Sequence, residues 1–135
     1  MFKQIVVGTD GSAGANVAVD AAIELASVTG AVLYIVNAHN AAESGEAAHE
    51  LGQRICDEAV ERAGRADVRA VGRCVAGDAA DALLTVAKDA ECDLVVVGNR
   101  GMTGVRRFVL GSVPNKLSHH SLTSLLIVDT QRASA

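Results

Sequence analysis

Two short runs with no polar residue inside them, Ile5 to Val7 and Leu94 to Val97, constrain the fold of this chain more than any other feature. A strand solvated on one face alternates apolar and polar side chains, whereas a strand covered on both faces of a parallel sheet is apolar throughout. Each run is stopped by glycine, the first at Gly8-Thr9-Asp10-Gly11 and the second at Gly98, with Gly101 close behind. Both are expected to be central strands.

Between and around them, strand-like and helix-like segments alternate. Ser12 is a good N-cap, and Val17, Ala21, Leu25 and Val28 follow at helical spacing until Thr29-Gly30. Ala31 to Val36 reads as a second strand and Asn37 to Glu46 as a mobile polar loop. Ala48, Leu51, Ile55, Ala59, Val60 and Ala63 mark a helix over Ala47 to Ala63, closed by Gly64. A third strand, Val68 to Ala76, precedes a helix over Ala79 to Ala90 with Leu83, Val86, Ala87 and Ala90 inward. A short helix from Val113 to about Ser118, a last strand from Ser124 to Val128 and a disordered tail, 130–135, complete the reading.

This alternation predicts one α/β domain over 1–135, a doubly wound parallel sheet of five strands with four helices. Placing the two apolar strands side by side gives the order 3-2-1-4-5, with connections diverging between strands 1 and 4. Ligands of open α/β sheets bind beyond the carboxyl ends of the strands at such a switch point. Asp10 and Gly98 would both lie there.

Composition narrows the ligand classes. Aromatic residues make up only 2% of the chain, the net charge is -4 and the pI is near 5.5, so neither a stacking platform nor a basic footprint for nucleic acid is present. No apolar run reaches the length of a membrane span and the start lacks a signal-peptide pattern, so no membrane partner and a cytoplasmic location are expected. Cys56, Cys74 and Cys92 are odd in number and form no CxxC pair, which indicates neither a disulfide framework nor a zinc site. They read as small core or boundary residues. His39 and His49 look isolated, His119 and His120 read as helix-end residues, and no metal ligand is assigned.

The segment after the fourth strand carries the chemistry. Glycine permits close backbone approach, so the N–H groups after Gly98 and Gly101 can converge on an anion. Gly111-Ser112 then opens a helix whose unpaired N–H groups favour negative charge, and Pro114 suits its first turn. Arg100, Arg106, Arg107 and Lys116 fall between Gly98 and His120 with no Asp or Glu among them, reversing the charge of the chain locally. The plain alternative is a turn, a cap and a solvated basic face. A strand-to-helix connection of about a dozen residues, against the usual two to six, favours the phosphate reading. Asp10 could accept hydrogen bonds from ribose hydroxyls or an adenine amino group, or simply help to cap the first helix. Val36, ending strand 2, could offer backbone groups to a base.

Gly98-x2-Gly101-x9-Gly111-Ser112 matches in full the G-x2-G-x9-G-[S/T] motif of ATP-binding universal stress proteins. IVVGTDGS resembles their first strand and acidic turn, VLYIVNA their second strand, VAGDAADALLTVAKDAECDLVVVGNRG their third helix and fourth strand, and LLIV their closing strand. The resemblance implies the adenine-nucleotide α-hydrolase-like fold and a stress-response role. It also implies a nucleotide site built from Gly8, Thr9, Asp10, Val36, Val97, Gly98, Arg100, Gly101, Gly111, Ser112 and Val113. Asp10 would hold the ribose and adenine region, Val36 the base, Gly98 the ribose, and Gly101 with Gly111, Ser112 and Val113 the phosphates. Many members carry Pro where this chain has Gly8, a departure expected to loosen the turn. The implied ligand is ATP, with magnesium as its companion ion, or alternatively cyclic AMP. The implied assembly is a homodimer paired through the last strand, Leu125 to Val128, an apolar edge that needs covering.

A catalytic role finds less support. There is no GxxxxGK[ST] loop to place a lysine, so slow ATP hydrolysis is the most that is expected and no catalytic residue is assigned. A dinucleotide enzyme is the main alternative, given Gly8, Gly11 and Gly14 in the first turn. Their spacing is not GxGxxG, and Asn37 stands where a ribose-binding acid would be expected. A structural dimer whose glycine loop binds nothing is the third reading. The downstream protein partner has no signature in the sequence.

Overall fold

The chain is described by a computed structural model covering residues 1–39, 41–99 and 123–130, without the side chains of 41–44. Its elements are β1 (Gln4–Gly8), α1 (Ala13–Thr29), β2 (Val32–His39), α2 (Ala41–Arg65), β3 (Ala70–Ala76), α3 (Ala79–Asp89), β4 (Leu94–Gly98) and β5 (Ser124–Val128). All strand pairs are parallel and the order is β3-β2-β1-β4-β5, the topology the alternation predicts. The expected fourth helix, Val113 to about Ser118, falls outside the described residues; three helices lie within them.

The pleat explains why β1 and β4 are uninterrupted apolar runs. Ile5, Val7, Leu33, Ile35, Leu94 and Val96 face α1 and α2, while Val6, Val36, Val95 and Val97 face α3. Alternate residues of one strand therefore enter different apolar cores. Burying each such side chain contributes about 1.5–3 kcal/mol, so the two central strands anchor the sheet.

Helix boundaries are set by local chemistry. The Ser12 hydroxyl accepts from the Ala15 N–H at 3.2 Å to start α1, and Gly30, at φ 75°, ends it by donating to the Ala26 carbonyl. α2 continues past Gly64 to Arg65 and is closed by Asp67, at φ 58°, with Val68 N–H bonded to Ala63 O and Asp67 N–H to Gly64 O. Glu91, at φ 53°, ends α3 in the same way, with Cys92 N–H on Ala87 O and Glu91 N–H on Lys88 O. These are Schellman closures with a charged residue where glycine is usual.

Three sequence expectations are corrected here. Asn37 to Glu46 is not a loop: β2 runs on to His39 and helix begins at Ala41, broken only at Gly45, where φ is 52° and ψ -123°. The buried stripe of α1 is Ala18, Val19, Ala22, Ile23 and Ala26, and Val28 is 82% exposed. Thr130, placed with the tail from sequence, is buried; 131–135 lie outside the described residues.

Candidate functional site

β1 and β4 pair from Ile5↔Leu94 to Val7↔Val96, so their next residues leave the same edge of the sheet side by side. Gly8 to Asp10 come from one strand and Val97 to Gly98 from the other. The turn after β1 is tightly held. Thr9, fully buried, donates its N–H to the Val36 carbonyl at 2.9 Å, and its hydroxyl accepts from Gly11 N–H at 3.0 Å. The Asn37 amide donates to the Thr9 carbonyl at 2.9 Å, and the Asp10 Oδ1 accepts from Ser12 N–H at 2.9 Å. Gly11, at φ 81°, makes the bend that a side chain would strain.

This network fixes the Asp10 carboxylate at the mouth of the β1–β4 edge. Ser12 caps the helix, and Asp10 closes an Asx-type turn on the Ser12 N–H. Gly8 pairs with Val36 within the sheet and backs onto Leu83, whose methyl groups would lie 3.3 and 3.4 Å from an added Cβ.

Val36 and Val97 are buried at 1% and 4% exposure, so neither side chain faces a ligand. What Val36 can offer is backbone, and its carbonyl already accepts from Thr9. Gly98 pairs with Val128, and the next residue fixes where the glycine loop starts. Asn99 N–H donates to Val128 O at 2.8 Å, and Asn99 Oδ1 accepts from Thr130 N–H at 3.0 Å and from the Thr130 hydroxyl at 2.9 Å. Arg100, Gly101, Gly111, Ser112 and Val113 lie outside the described residues, as do His119 and His120. Asn37 and Asn99, the two amides that lock the site's frame, carry no motif in the sequence.

A second group of polar side chains gathers one strand further out, at the carboxyl ends of β2 and β3. Asn37 pairs with Cys74 across the strands, His39 follows two residues on, and His49 reaches them from α2. His39 Nε2 and His49 Nδ1 are 3.2 Å apart, with the rings edge to face at 74°. The Cys74 thiol donates to the His49 carbonyl at 3.4 Å. Among the described residues, His39 Nδ1 is a buried nitrogen with no hydrogen-bond partner. Gly52 makes this convergence feasible: a Cβ there would sit 2.3 Å from Asn37 Oδ1 and 2.6 Å from Cys74 Sγ.

The three thiols differ in setting. Burial pushes Cys56 up to about 11, helped by nearby Cys74, and burial with Asp93 alongside pushes Cys92 up to about 12. Cys74 is raised by burial alone. All three are protonated at neutral pH, so none is an activated nucleophile.

The profile of the universal stress protein family matches residues 1–129. Universal stress protein Rv1636 of Mycobacterium tuberculosis (strain H37Rv) is 34% identical over 96% of this chain and 97% of its own length. Universal stress protein YxiE of Bacillus subtilis is 31% identical over 95% and 99%. Among solved structures, a universal stress protein in complex with cAMP is 37% identical and superposes with a TM-score of 0.73, covering 96% of this chain and 98% of that one. UspA of Lactobacillus plantarum, 19% identical, shares the fold with a TM-score of 0.76 over 93% of this chain and 97% of its own. The chain therefore belongs to the universal stress protein family.

Proposed function

We propose that this protein is an adenine-nucleotide-binding regulatory protein of the stress response, holding ATP beyond the carboxyl ends of β1 and β4. The observation that carries this reading is the juxtaposition of a fixed Asp10 carboxylate with Gly98 on adjacent strand ends. A carboxylate there suits ribose hydroxyls or the adenine amino group, and the motif running from Gly98 to Ser112 suits phosphates. In this reading Gly8, Thr9, Val36 and Val97 shape the floor, while Arg100, Gly101, Gly111, Ser112 and Val113 close around the phosphates, with magnesium accompanying ATP. The protein acts by binding, in the cytoplasm, and not by turnover.

Cyclic AMP is the second reading, favoured by the 37% identical structure that is a complex with that nucleotide. Titration calorimetry with ATP, ADP, cyclic AMP and NAD separates the readings. Adenine-nucleotide binding is expected, weakened more than about tenfold in Asp10→Ala, the loss of one charge-assisted hydrogen bond. Binding unchanged in both Asp10→Ala and Gly98→Ala would refute the site.

The assembly proposed is a homodimer through β5. Among the described residues this strand pairs only with β4, stands at the sheet edge, and exposes Ile127 by 44%. An apolar edge of this kind is a template for a second strand.

A further inference from the structure

We propose that His39, His49 and Cys74 form a binding site for a borderline-soft divalent transition-metal ion, with Zn2+ as the expected occupant, separate from the nucleotide site. One ligand atom from each residue lies within 4.8 Å of the other two. Two nitrogens bound at about 2.0–2.1 Å to one tetrahedral ion stand about 3.3 Å apart. The His39 Nε2 to His49 Nδ1 separation of 3.2 Å matches that distance. The sulfur of a Zn–S bond of about 2.3 Å would lie about 3.6 Å from each nitrogen, against the present upper bound of 4.8 Å, so the Cys74 side chain would draw inward on binding.

The donor set selects the metal class. Two imidazoles and a thiolate suit Zn2+, Co2+ and related ions, whereas Mg2+ and Ca2+ require oxygen ligands. Three protein ligands leave the fourth tetrahedral position for water or an added molecule.

The surroundings point to a ligand as well. Two neutral imidazoles facing each other share one proton between two nitrogens, and His39 Nδ1 stays buried without a partner in either tautomer. A cation accepting a lone pair from each facing nitrogen would take the place of that shared proton and fix His39 Nδ1 as the N–H of the ring. The ligands come from β2, β3 and α2, so their spacing is set by the packed core. Gly52 permits the approach of α2 that brings His49 over Cys74. Burial keeps the thiol protonated in the metal-free protein, and coordination releases that proton as the S–M bond forms.

Cobalt substitution of the full chain provides the test, because a thiolate bound to Co2+ gives an intense near-ultraviolet charge-transfer band that imidazole alone does not. Titration with Co2+ should give one ion per chain with this band, and Zn2+ should displace it. Cys74→Ser should abolish the band. His49→Ala, at an exposed position, should weaken Co2+ binding by more than about tenfold, at least the cost of losing a supporting shell. Cys92→Ser and a double His119→Ala, His120→Ala variant should leave both unchanged. No band, a band surviving Cys74→Ser, or equal Co2+ affinity in wild type and His49→Ala would overturn the proposal. Circular dichroism of each variant identifies any loss of fold, and the His49→Ala result stands independently of Cys74→Ser.

Discussion

The two ends of the parallel sheet use polar groups in opposite ways. At the amino-terminal end, the Asp93 carboxylate accepts from the N–H groups of Lys3, at 2.9 Å, and Gln4, at 3.1 Å, and Tyr34 OH bonds Gln4 Oε1 at 3.1 Å. These bonds tie β4, β1 and β2 to one another. At the carboxyl end, Asn37, Thr9, Asp10 and Asn99 instead hold turns in place while the chain leaves the sheet. One end spends its polar side chains on cohesion and the other on positioning. The difference predicts that substitutions at the two ends will separate stability from ligand affinity.

The most severe challenge to that division is Gly52→Ala. The added methyl group meets Asn37 Oδ1 and Cys74 Sγ together, so it should cost about 2–3 kcal/mol by overpacking and disturb the Thr9 turn through Asn37. Thermal melting and nucleotide calorimetry should both register the change. Asp93→Ala should cost about 1–2 kcal/mol, from partly exposed bonds to two backbone N–H groups, while nucleotide affinity stays at the wild-type value. Weakening of nucleotide binding equal to that in Gly52→Ala would abolish the distinction between the ends. Ser12→Ala should have the smallest effect, about 1 kcal/mol in denaturant melts from the lost cap, with nucleotide affinity retained because Asp10 is held by the Ser12 backbone.

The fold was legible in the sequence because β1 and β4 are apolar on both faces, as strands covered by helices on both sides of a parallel sheet must be, and because strands and helices alternate. Helix faces were less legible. α1 is rich in Ala and Val almost all round, so periodicity pointed to Val17, Ala21, Leu25 and Val28 when the buried stripe is offset from them. In α2, sequence reading favoured Leu51, which is 52% exposed, over the small residues Gly52 and Cys56 that the close sheet demands.

The candidate site divides similarly. Asp10 and Gly98 could be placed because each directly follows a recognisable strand. The amide locks at Asn37 and Asn99 could not, since an asparagine beyond a strand has many ordinary uses. His39, His49 and Cys74 were passed over because separations of 10 and 25 residues resemble no local metal motif. Only the pairing of β2 with β3, and the position of α2 over them, makes them neighbours.

The bond between Asn99 and Thr130 also ties the start of the glycine segment to the last strand. Thr9 and Asn37 belong to the first β-α-β unit, so the acidic half of the site can mature once two neighbouring strands have met. Asn99 finds its partner only after β5 has docked at the far edge, 31 residues later in the chain. If the proposed nucleotide site is right, its phosphate end is framed only once the last strand has joined, and binding there would report a finished sheet rather than a half-assembled one.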